Sequence, residues 1–346
     1  MNICTWFYAE SSGGESTYYQ MAGPSSSRRF QEVYWRCIVV FFASSIRNNP
    51  EARHILFANI SRAPVVDGLD VHVFLQQLGV EFVQLPFTFQ PPEGYYSAWR
   101  NQFYIFDIIR YLHEHATEAN AIVLDSDCVW IQPGTPLDDA ITRNEVLTYA
   151  VSYPPDYPLN GLSRYDMQRL FGELSGRGFP YPPIYCGGEI FAASPAGIEH
   201  LNACLDSFWA SQLDRHAHGM QKCLEEAHAL TYLYYQHKYA IGTANPFVKR
   251  IWTNVPFRYR TDLPNDYGLI VWHLPLEKQW GGFALLFELA RNQESAFWTV
   301  PTGVPFANLM GQRLGVARRS PARALRYTVK AFYFKFRRMG ARFRFP

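Results

Sequence analysis

Short apolar runs alternate with longer amphipathic segments through the first part of the chain. The strand-like runs occupy residues 3–8, 54–59, 81–85 and 121–124, and the segments of helical length occupy residues 32–48, 70–78 and 99–115. In the last of these segments, apolar residues recur at the spacing of one helix face. The alternation predicts an α/β fold in which a mostly parallel sheet has helices on both faces.

The pattern loosens after Pro133, where two stretches rich in Pro and Tyr interrupt it. The helices predicted in this part lie at residues 165–174, 195–211 and 220–236. The strands predicted in this part lie at residues 184–193 and 269–273.

The chain shows no internal repeat and no linker before Trp298. We therefore expect one large domain over residues 1–298, with an N-terminal half over 1–133 and a C-terminal half over 134–298. Residues 299–346 are expected to form a C-terminal extension.

Two carboxylates, Asp125 and Asp127, directly follow the apolar run at 121–124. In open α/β sheets, ligands bind at the carboxyl ends of strands. Carboxylate oxygens suit Mg²⁺ or Mn²⁺, which keep coordination positions free for phosphate oxygens. The stretch therefore predicts a divalent metal site, although a solvated Asx turn accounts for the same residues.

Two later segments carry residues that could complete such a site. His273 ends a predicted strand, and Lys278 follows five residues later. The imidazole could join a carboxylate metal site, and the ammonium could place a charge on a phosphate. Gly187 and Gly188 allow close approach of a ligand, but a turn or bulge would need them equally. A purely structural role is the alternative for each of these residues.

The order of these segments resembles that of the GT-A glycosyltransferases: an apolar strand, Asp-x-Asp, a Gly-containing segment, an acidic helix start and a final His-x(4)-Lys-x-Trp. The resemblance is greatest to the group of glycogenin and the bacterial lipopolysaccharide galactosyl- and glucosyltransferases, and it covers about residues 1–280. It implies a GT-A type fold with a Rossmann-like sheet. It also implies transfer of a sugar from a nucleotide-sugar, with UDP-sugars favoured, to a glycan or lipid-linked acceptor.

By this resemblance, Asp125, Asp127 and His273 are the metal ligands, and the ion is Mn²⁺ or Mg²⁺. Lys278 matches the lysine that contacts the donor phosphates. The interval from His273 to Lys278 is one residue shorter than in the family pattern, and the Gly usually found between them is missing. The match is therefore weaker for Lys278 than for His273.

Other residues match the donor-binding part of the family. They are Phe7, Tyr8 and Ala9 at the end of the first strand, Arg100 near the start of the long helix, Ser126 between the aspartates, and Gly187 and Gly188. The first three match the region that binds the nucleotide base, and the arginine matches the segment that reaches donor phosphate or sugar. The glycines stand where the family has an Asn-Ala-Gly stretch, so one sugar contact of the family is missing here.

Glu225 and Glu226 fall where the family has a short acidic or amide motif beside the anomeric carbon. The resemblance makes Glu226, or Glu225, the candidate catalytic group, with Glu189 as a second candidate. A carboxylate there could act as the base of an inverting reaction or stabilise oxocarbenium character in a retaining one. The helix dipole alone also favours acidic residues in a first turn, which is the structural alternative.

The composition is that of a globular protein, since hydrophobic residues make up 48% and charged residues 18% of the chain. The six cysteines show no CxxC pair and no zinc-site spacing. The N-terminus lacks the basic region of a signal peptide, and no apolar run is long enough to span a membrane. We therefore expect a cytoplasmic location.

The C-terminal part differs in charge from the rest. Residues 313–346 contain eleven Lys or Arg and no Asp or Glu, which leaves 21 basic against 30 acidic residues elsewhere. Aromatic residues are interleaved with the basic ones, as in helices that lie on anionic lipid. We expect peripheral binding to the inner face of the cell membrane, in bacterial surface polysaccharide synthesis, and no nucleic-acid partner. A helix packed on the acidic body is the alternative.

Two other functions fit parts of the sequence. Phosphatases of the haloacid dehalogenase type also end a strand with Asp-x-Asp, but their nucleophilic Asp lies close to the first strand. Here the motif follows about the fourth predicted strand. A non-catalytic binder of nucleotide-sugars would keep the metal site without performing a reaction.

Overall fold

The structure, a computed structural model, describes residues 1–18, 21, 23–116, 118–253, 261–316, 325, 328, 329 and 332. Most of the basic tail predicted to bind lipid therefore lies outside the described residues. In the part that is described, no helix is both long and apolar enough to cross a membrane.

The strands are β1 (Asn2–Phe7), β2 (Arg53–Ala58), β3 (Val65–Val66), β4 (Leu69–Asp70), β5 (Glu81–Gln84), β6 (Ala121–Leu124), β7 (Cys128–Trp130), β8 (Val146–Leu147), β9 (Ile190–Ala193), β10 (Val248–Arg250) and β11 (Val271–His273). The helices are α1 (Arg28–Asn48), α2 (Val71–Gln77), α3 (Tyr104–His115), α4 (Thr135–Asn144), α5 (Arg164–Ser175), α6 (Pro195–Ala217), α7 (Glu226–Gln236), α8 (Glu277–Trp280), α9 (Gly282–Ala290), α10 (Ala296–Thr299) and α11 (Val304–Leu314). Short 3-10 turns lie at Arg100–Phe103 and Pro264–Gly268.

Six strands form the central sheet in the order β5-β2-β1-β6-β9-β8. The pairs β5–β2, β2–β1 and β1–β6 are parallel, whereas β9 runs antiparallel to both of its neighbours. The predicted α/β fold with a mostly parallel sheet between helices is confirmed. Because β6 lies between β1 and β9, the residues that follow Leu124 emerge near the middle of the sheet edge.

Successive residues of the central strands pack into two apolar layers on opposite faces of the sheet. On β6, Ile122 and Leu124 pack into the layer that includes α1, α9 and α11. Ala121 and Val123 pack into the layer that includes α3, α6 and α7. Burial on both faces explains why the central strands read as continuous apolar runs.

A second sheet of three strands, in the order β10-β11-β7, adjoins the turn after β6. β7 pairs antiparallel with β11, which places Cys128 opposite His273. On the other side β10 runs parallel to β11, which places Arg250 opposite His273. This register brings distant parts of the sequence together beside the end of β6.

The strand predicted at 184–193 was wrong in its first part, because β9 begins only at Ile190. Tyr185 and Gly187 form backbone hydrogen bonds with segment 149–151 instead, with N···O distances of 3.0 and 2.9 Å. Long-range pairing therefore draws these residues away from β6, and the chain turns before β9 starts.

The helix predicted at 220–236 begins only at Glu226. The backbone N–H of Cys223 donates to the side-chain amide oxygen of Gln212 at 2.9 Å, so this residue makes a tertiary rather than a helical hydrogen bond. Glu225 is the N-cap residue of α7, and the acidic pair lies at the helix start as predicted.

The first part of the predicted C-terminal extension packs on the body of the protein. α11 lies against α9, and Phe306, Met310 and Leu314 are buried in the apolar layer that also contains α1. The boundary at residue 298 stays a prediction.

We expect a chain that ends at residue 298 to be less stable than one that ends at residue 316. The shorter chain loses Phe306, Met310 and Leu314, which are fully buried. Burial of each such side chain contributes about 1.5–3 kcal/mol to the free energy of unfolding. Thermal unfolding followed by circular dichroism should give a lower midpoint for the shorter chain, while the chain ending at 316 matches the full-length protein. Equal midpoints for the two truncations would contradict this role of α11.

Candidate metal centre and cleft

Asp125 and Asp127 lie in a tight turn between β6 and β7. The backbone N–H of Asp125 donates to the carbonyl of Glu189 at 3.1 Å, and Cys128 N–H closes the turn on the Asp125 carbonyl at 3.0 Å. The Thr5 hydroxyl donates to the Leu124 carbonyl at 2.8 Å from the neighbouring strand. The backbone that carries both carboxylates is therefore held from both sides.

The pairing of β11 with β7 brings His273 to this turn. Its Nε2 lies 3.1 Å from Asp127 Oδ1 and 3.5 Å from Asp125 Oδ2. The Leu274 N–H also donates to the Asp127 carbonyl at 3.0 Å, which fixes the end of β11 against the turn. The three residues predicted as metal ligands offer ligand atoms that all lie within 4.8 Å of one another.

This donor set suits a divalent cation. Two carboxylates and one imidazole provide three ligands, and oxygen-preferring ions such as Mg²⁺ and Mn²⁺ then retain positions for other oxygens. Nδ1 of His273 lies 3.6 Å from Glu189 Oε1, so a buried carboxylate faces the second ring nitrogen. This separation is longer than a hydrogen bond, and Nδ1 has no hydrogen-bond partner among the described residues, so the carboxylate acts on the imidazole through its charge. The site could therefore bind a divalent metal.

Two cations balance the aspartates. Burial disfavours the charged imidazole, but Asp127 and Glu189 raise the pKa of His273 to about 9. Nζ of Lys278 lies 2.5 Å from Asp127 Oδ2, and against the effect of burial Lys278 and His273 hold the pKa of Asp127 well below its usual range. Asp125 has a more distant cation, since its Oδ2 lies 3.5 Å from His273 Nε2, and burial raises the pKa of Asp125 to about 6. Lys278, which was predicted to contact the donor phosphates, thus pairs with Asp127, one of the predicted metal ligands.

Glu189 is held by an arginine that the sequence did not reveal. Arg250 donates to both carboxylate oxygens of Glu189, at 2.8 Å from Nε and 2.6 Å from Nη2. Although burial opposes ionisation, Arg250 and His273 lower the pKa of Glu189 to about 2. Glu189, the second candidate for the catalytic group, thus lies beside Nδ1 of His273 and is paired with Arg250.

Tyr34 is a second residue that sequence reasoning missed. The ring of Tyr34 on α1 lies 4.9 Å from Nζ of Lys278, within the range of a cation–π contact. Nothing in the sequence distinguishes this tyrosine from the other aromatic residues of an amphipathic helix. The contact between Tyr34 and Lys278 depends on the packing of α1 beside α8, which the sequence does not show.

The two glycines make room for carboxylates. A Cβ atom on Gly188 would lie 2.0 Å from Glu226 Oε1, and a Cβ atom on Gly187 would lie 2.1 Å from Glu189 Oε2. Both distances are far shorter than a van der Waals contact, so either side chain would displace its carboxylate. Close approach of another group therefore explains both glycines, as predicted. The groups that approach them are carboxylates of the protein and not a ligand.

Glu225 and Glu226 have different surroundings at the start of α7. Glu225 accepts hydrogen bonds from Tyr185 Oη at 2.6 Å and from Asn160 Nδ2 at 2.5 Å. Oε2 of Glu226 is buried and has no hydrogen-bond partner among the described residues. Burial raises the pKa of Glu225 to about 7, and burial together with Glu225 and Asp125 raises the pKa of Glu226 well above its usual range. Of the two, Glu226 is the residue with an unpartnered carboxyl oxygen, Oε2.

These residues surround one cleft with a volume of about 310 Å³. The predicted site residues that line it are Phe7, Tyr8, Asp125, Ser126, Asp127, Gly188, Glu189, Glu225, Glu226, His273 and Lys278. Ala9, Arg100 and Gly187 are not among its lining residues. The backbone of Ala9 pairs with the Asn59 side chain at 2.7 and 3.1 Å, and Arg100 donates to the Pro91 carbonyl at 3.0 Å.

The loop after β1 closes one side of the cleft. The buried carboxylate of Glu10 accepts from Ser16 N at 2.8 Å, from Ser16 Oγ at 2.6 Å and from the Ser25 hydroxyl. Thr17 N–H donates to the Ser97 carbonyl at 2.9 Å, which joins the loop to the segment before α3. The Glu10 carboxylate therefore connects separate parts of this loop by hydrogen bonds. The position of Glu10 after an apolar strand did not indicate this role.

No protein-family model matches the chain, and no curated protein sequence matches it. Among solved structures, the chain is similar to the apo form of mouse xyloside xylosyltransferase 1. That similarity has a TM-score of 0.44 and 13% sequence identity, and it covers 79% of this chain and 98% of the mouse chain.

Replacing Lys278 with Met should tighten binding of Mn²⁺ in the absence of nucleotide by about tenfold. The reason is that the ammonium group, which competes with an ion for Asp127, is removed. Isothermal titration calorimetry measures the change. Lys249→Met is a matched control, because Lys249 pairs with Asp266 and does not line the cleft. Unchanged or weaker binding in the Lys278 variant would argue against this competition.

The pH dependence of stability should change when Glu225 is replaced with Gln. The pKa of Glu225 is raised in the folded protein, so its protonated form favours folding at low pH and that contribution is lost as the pH rises through about 7. A glutamine does not titrate, so the stability of the variant relative to the wild type should rise by about 2 kcal/mol from pH 5 to pH 8. Urea unfolding at both pH values tests this, with exposed Glu51→Gln as control. A difference that is the same at both pH values would contradict it.

Proposed function

We propose that the protein is a metal-dependent glycosyltransferase that moves a sugar from a nucleotide diphosphate donor, with a UDP-sugar favoured, to a glycan or glycolipid acceptor. The observation that carries the proposal is the cluster of Asp125, Asp127 and His273 at the floor of a cleft. The order of motifs in the sequence supports the same reaction. The narrower likeness to the glycogenin group remains a prediction.

Asp125, Asp127 and His273 would hold Mn²⁺ or Mg²⁺, which supplies positive charge against the diphosphate as it leaves. Lys278 lies beside the same carboxylates and adds a second positive charge at the phosphate position. Such charges accelerate the reaction because they interact more strongly with the leaving group than with the intact donor. Glu189, held in place by Arg250, would act indirectly by placing a negative charge beside the second ring nitrogen of His273.

The wall at the end of β1 is the proposed nucleotide side of the cleft. Phe7 and Tyr8 line it, and Tyr34 lines it beside Lys278. Aromatic faces next to a cation suit a base that is joined to phosphates. We retain Ala9, Ser126 and Arg100 as proposed donor contacts on the strength of the resemblance.

Glu226 is the proposed group at the reacting carbon. In the reaction, the bond from the anomeric carbon to the donor phosphate oxygen breaks and a bond to an acceptor oxygen forms. Both possible roles require the ionised carboxylate, which burial disfavours. In an inverting reaction, the ionised Glu226 would take the proton of the acceptor hydroxyl. In a retaining reaction, the charge of the ionised Glu226 would stabilise the oxocarbenium character of the sugar. Glu225, with both carboxylate oxygens engaged, is a positioning residue.

The haloacid dehalogenase alternative lacks support in the site geometry. In the central sheet the aspartate turn follows the fourth strand in chain order, and β1 ends in aromatic residues. A non-catalytic nucleotide-sugar binder remains the second candidate, because it needs the metal cluster alone. The unpartnered Oε2 of Glu226, in the lining of the cleft, favours the enzyme, because a group that acts at the reacting carbon needs a free oxygen.

UDP should raise the thermal midpoint of the protein only when Mn²⁺ is present, and Asp127→Asn should abolish that increase. The same variant should reduce donor hydrolysis or transfer by about 10²–10³-fold, because a major electrostatic stabiliser is lost. Asp139→Asn, an exposed aspartate, is the matched control. Release of inorganic phosphate from simple esters would favour the phosphatase, and binding of UDP-sugars without transfer or hydrolysis would favour the binder.

We further propose that residues 313–346 bring the enzyme to anionic lipid during synthesis of a bacterial surface polysaccharide. The eleven basic residues of this segment carry the proposal. Leu325, Val329 and Phe332 support it, because they are exposed in helical conformation at a spacing that fits one helix face.

The chain that ends at residue 316 should lose binding to vesicles that contain phosphatidylserine, while it keeps its UDP-dependent thermal shift. Loss of about 1 kcal/mol of attraction for each basic residue near the surface accounts for the effect. Co-sedimentation at low and high salt measures it. Equal binding of the full-length and shortened chains would reject the lipid role of the tail.

A further inference from the structure

The loop between β8 and α5 forms a further part of the cleft lining, separate in sequence from the residues at the end of β1. Tyr153, Tyr157 and Asn160 line the cleft from this loop, and we call them the tyrosine wall. The rings of Tyr153 and Tyr157 stack in parallel, with centroids 5.1 Å apart and an interplanar angle of 12°. Tyr157 is 50% exposed and lines the cleft, so part of its side chain is accessible to a ligand.

One arginine ties the loop to its surroundings. The guanidinium of Arg164 donates to the Tyr153 carbonyl at 3.3 Å and to the carbonyls of Pro182 and Pro183 at 3.1 and 2.7 Å. Its backbone N–H donates to the Pro155 carbonyl at 3.0 Å. A single side chain thereby connects the two stretches rich in Pro and Tyr, so the stacked rings belong to an ordered surface.

Asn160 connects the same loop to the proposed catalytic residues. Asn160 has a φ of 47° and is followed by Gly161 with a φ of 96°, a backbone conformation that favours glycine and asparagine. Its side chain donates to Glu225 Oε2 at 2.5 Å. A Cβ atom on Gly161 would lie 2.6 Å from Leu224 Cδ1, so the turn packs closely against the start of α7. The tyrosine wall therefore has a fixed position relative to Glu226.

The chemistry of the wall indicates which ligand it suits. The cleft residues between 153 and 160 carry no formal charge, and the nearest acidic side chain bonded to them is Glu225. A flat aromatic face beside an amide suits a ligand with one apolar face and a polar edge, which describes a neutral pyranose ring. An anionic sugar would find no compensating cation among the cleft-lining residues of this loop.

We propose that the tyrosine wall is the acceptor subsite and that it binds a neutral pyranose ring of the glycan. The inference rests on the proposed glycosyltransferase function, because it places the donor on the side of β1 and leaves this wall to the acceptor. Tyr157 stacks on the apolar face of the sugar, and Asn160 bonds to a hydroxyl. Neither residue takes part in bond breaking.

Saturation-transfer NMR in the presence of UDP and Mn²⁺ tests the subsite directly. The probes are the methyl glycosides of glucose, galactose, mannose and xylose, with methyl glucuronide as the anionic comparison. We expect at least one neutral glycoside to bind the wild type and methyl glucuronide to bind more weakly. Tyr157→Ala should raise the dissociation constant of that glycoside about tenfold, whereas Tyr157→Phe should keep it.

Tyr165→Ala is the matched control, because Tyr165 is 53% exposed but does not line the cleft. The UDP-dependent thermal shift should be the same in all variants. If no neutral glycoside binds the wild type, or if Tyr157→Ala leaves the dissociation constant unchanged, the acceptor subsite is refuted. If the wild type fails to bind UDP with Mn²⁺, the proposed function itself fails, and the two outcomes are thereby distinguished.

Discussion

Buried charges at the floor of the cleft must be balanced, and this requirement shapes the structure around them. The carboxylates are Asp125, Asp127 and Glu189, and the cations beside them are His273, Lys278 and Arg250. Removing such groups from water is costly unless each charge has a partner. The aspartates follow β6, whereas the cations come from β10, β11 and α8. The same ion pairs therefore hold the C-terminal strands to the central sheet and form the site.

The sequence was sufficient for the sheet and for the aspartate turn because both are local patterns. Short apolar runs end in polar residues where strands leave the core, and β6 ends at Leu124, directly before Asp125. The roles of Arg250 and Tyr34 depend instead on the pairing of β10 with β11 and on the packing of α1 beside α8. No local pattern encodes such long-range contacts, so the sequence could not single out these two residues.

The acidic residues show the same limit at a finer scale. The sequence placed Glu225 and Glu226 at a helix start but could not rank them, because the helix dipole favours both. In the folded chain, Tyr185 and Asn160 donate hydrogen bonds to the two carboxylate oxygens of Glu225. Oε2 of Glu226 has no such partner among the described residues. The two hydrogen-bond donors come from loops distant in sequence from α7. The difference between a carboxylate with both oxygens hydrogen-bonded and one with an unpartnered oxygen is thus a tertiary property.

Neither Gly187 nor Gly188 has a positive φ, so their backbone conformation is open to any residue. What excludes a side chain at position 188 is the carboxyl of Glu226, which already fills the space. Folding and chemistry therefore place separate demands on this position. A chain with alanine there can assemble the same sheet and keep the aspartate turn, yet its cleft loses the geometry of Glu226. Residue 188 therefore affects the cleft through the position of the Glu226 side chain and not through the backbone of the fold.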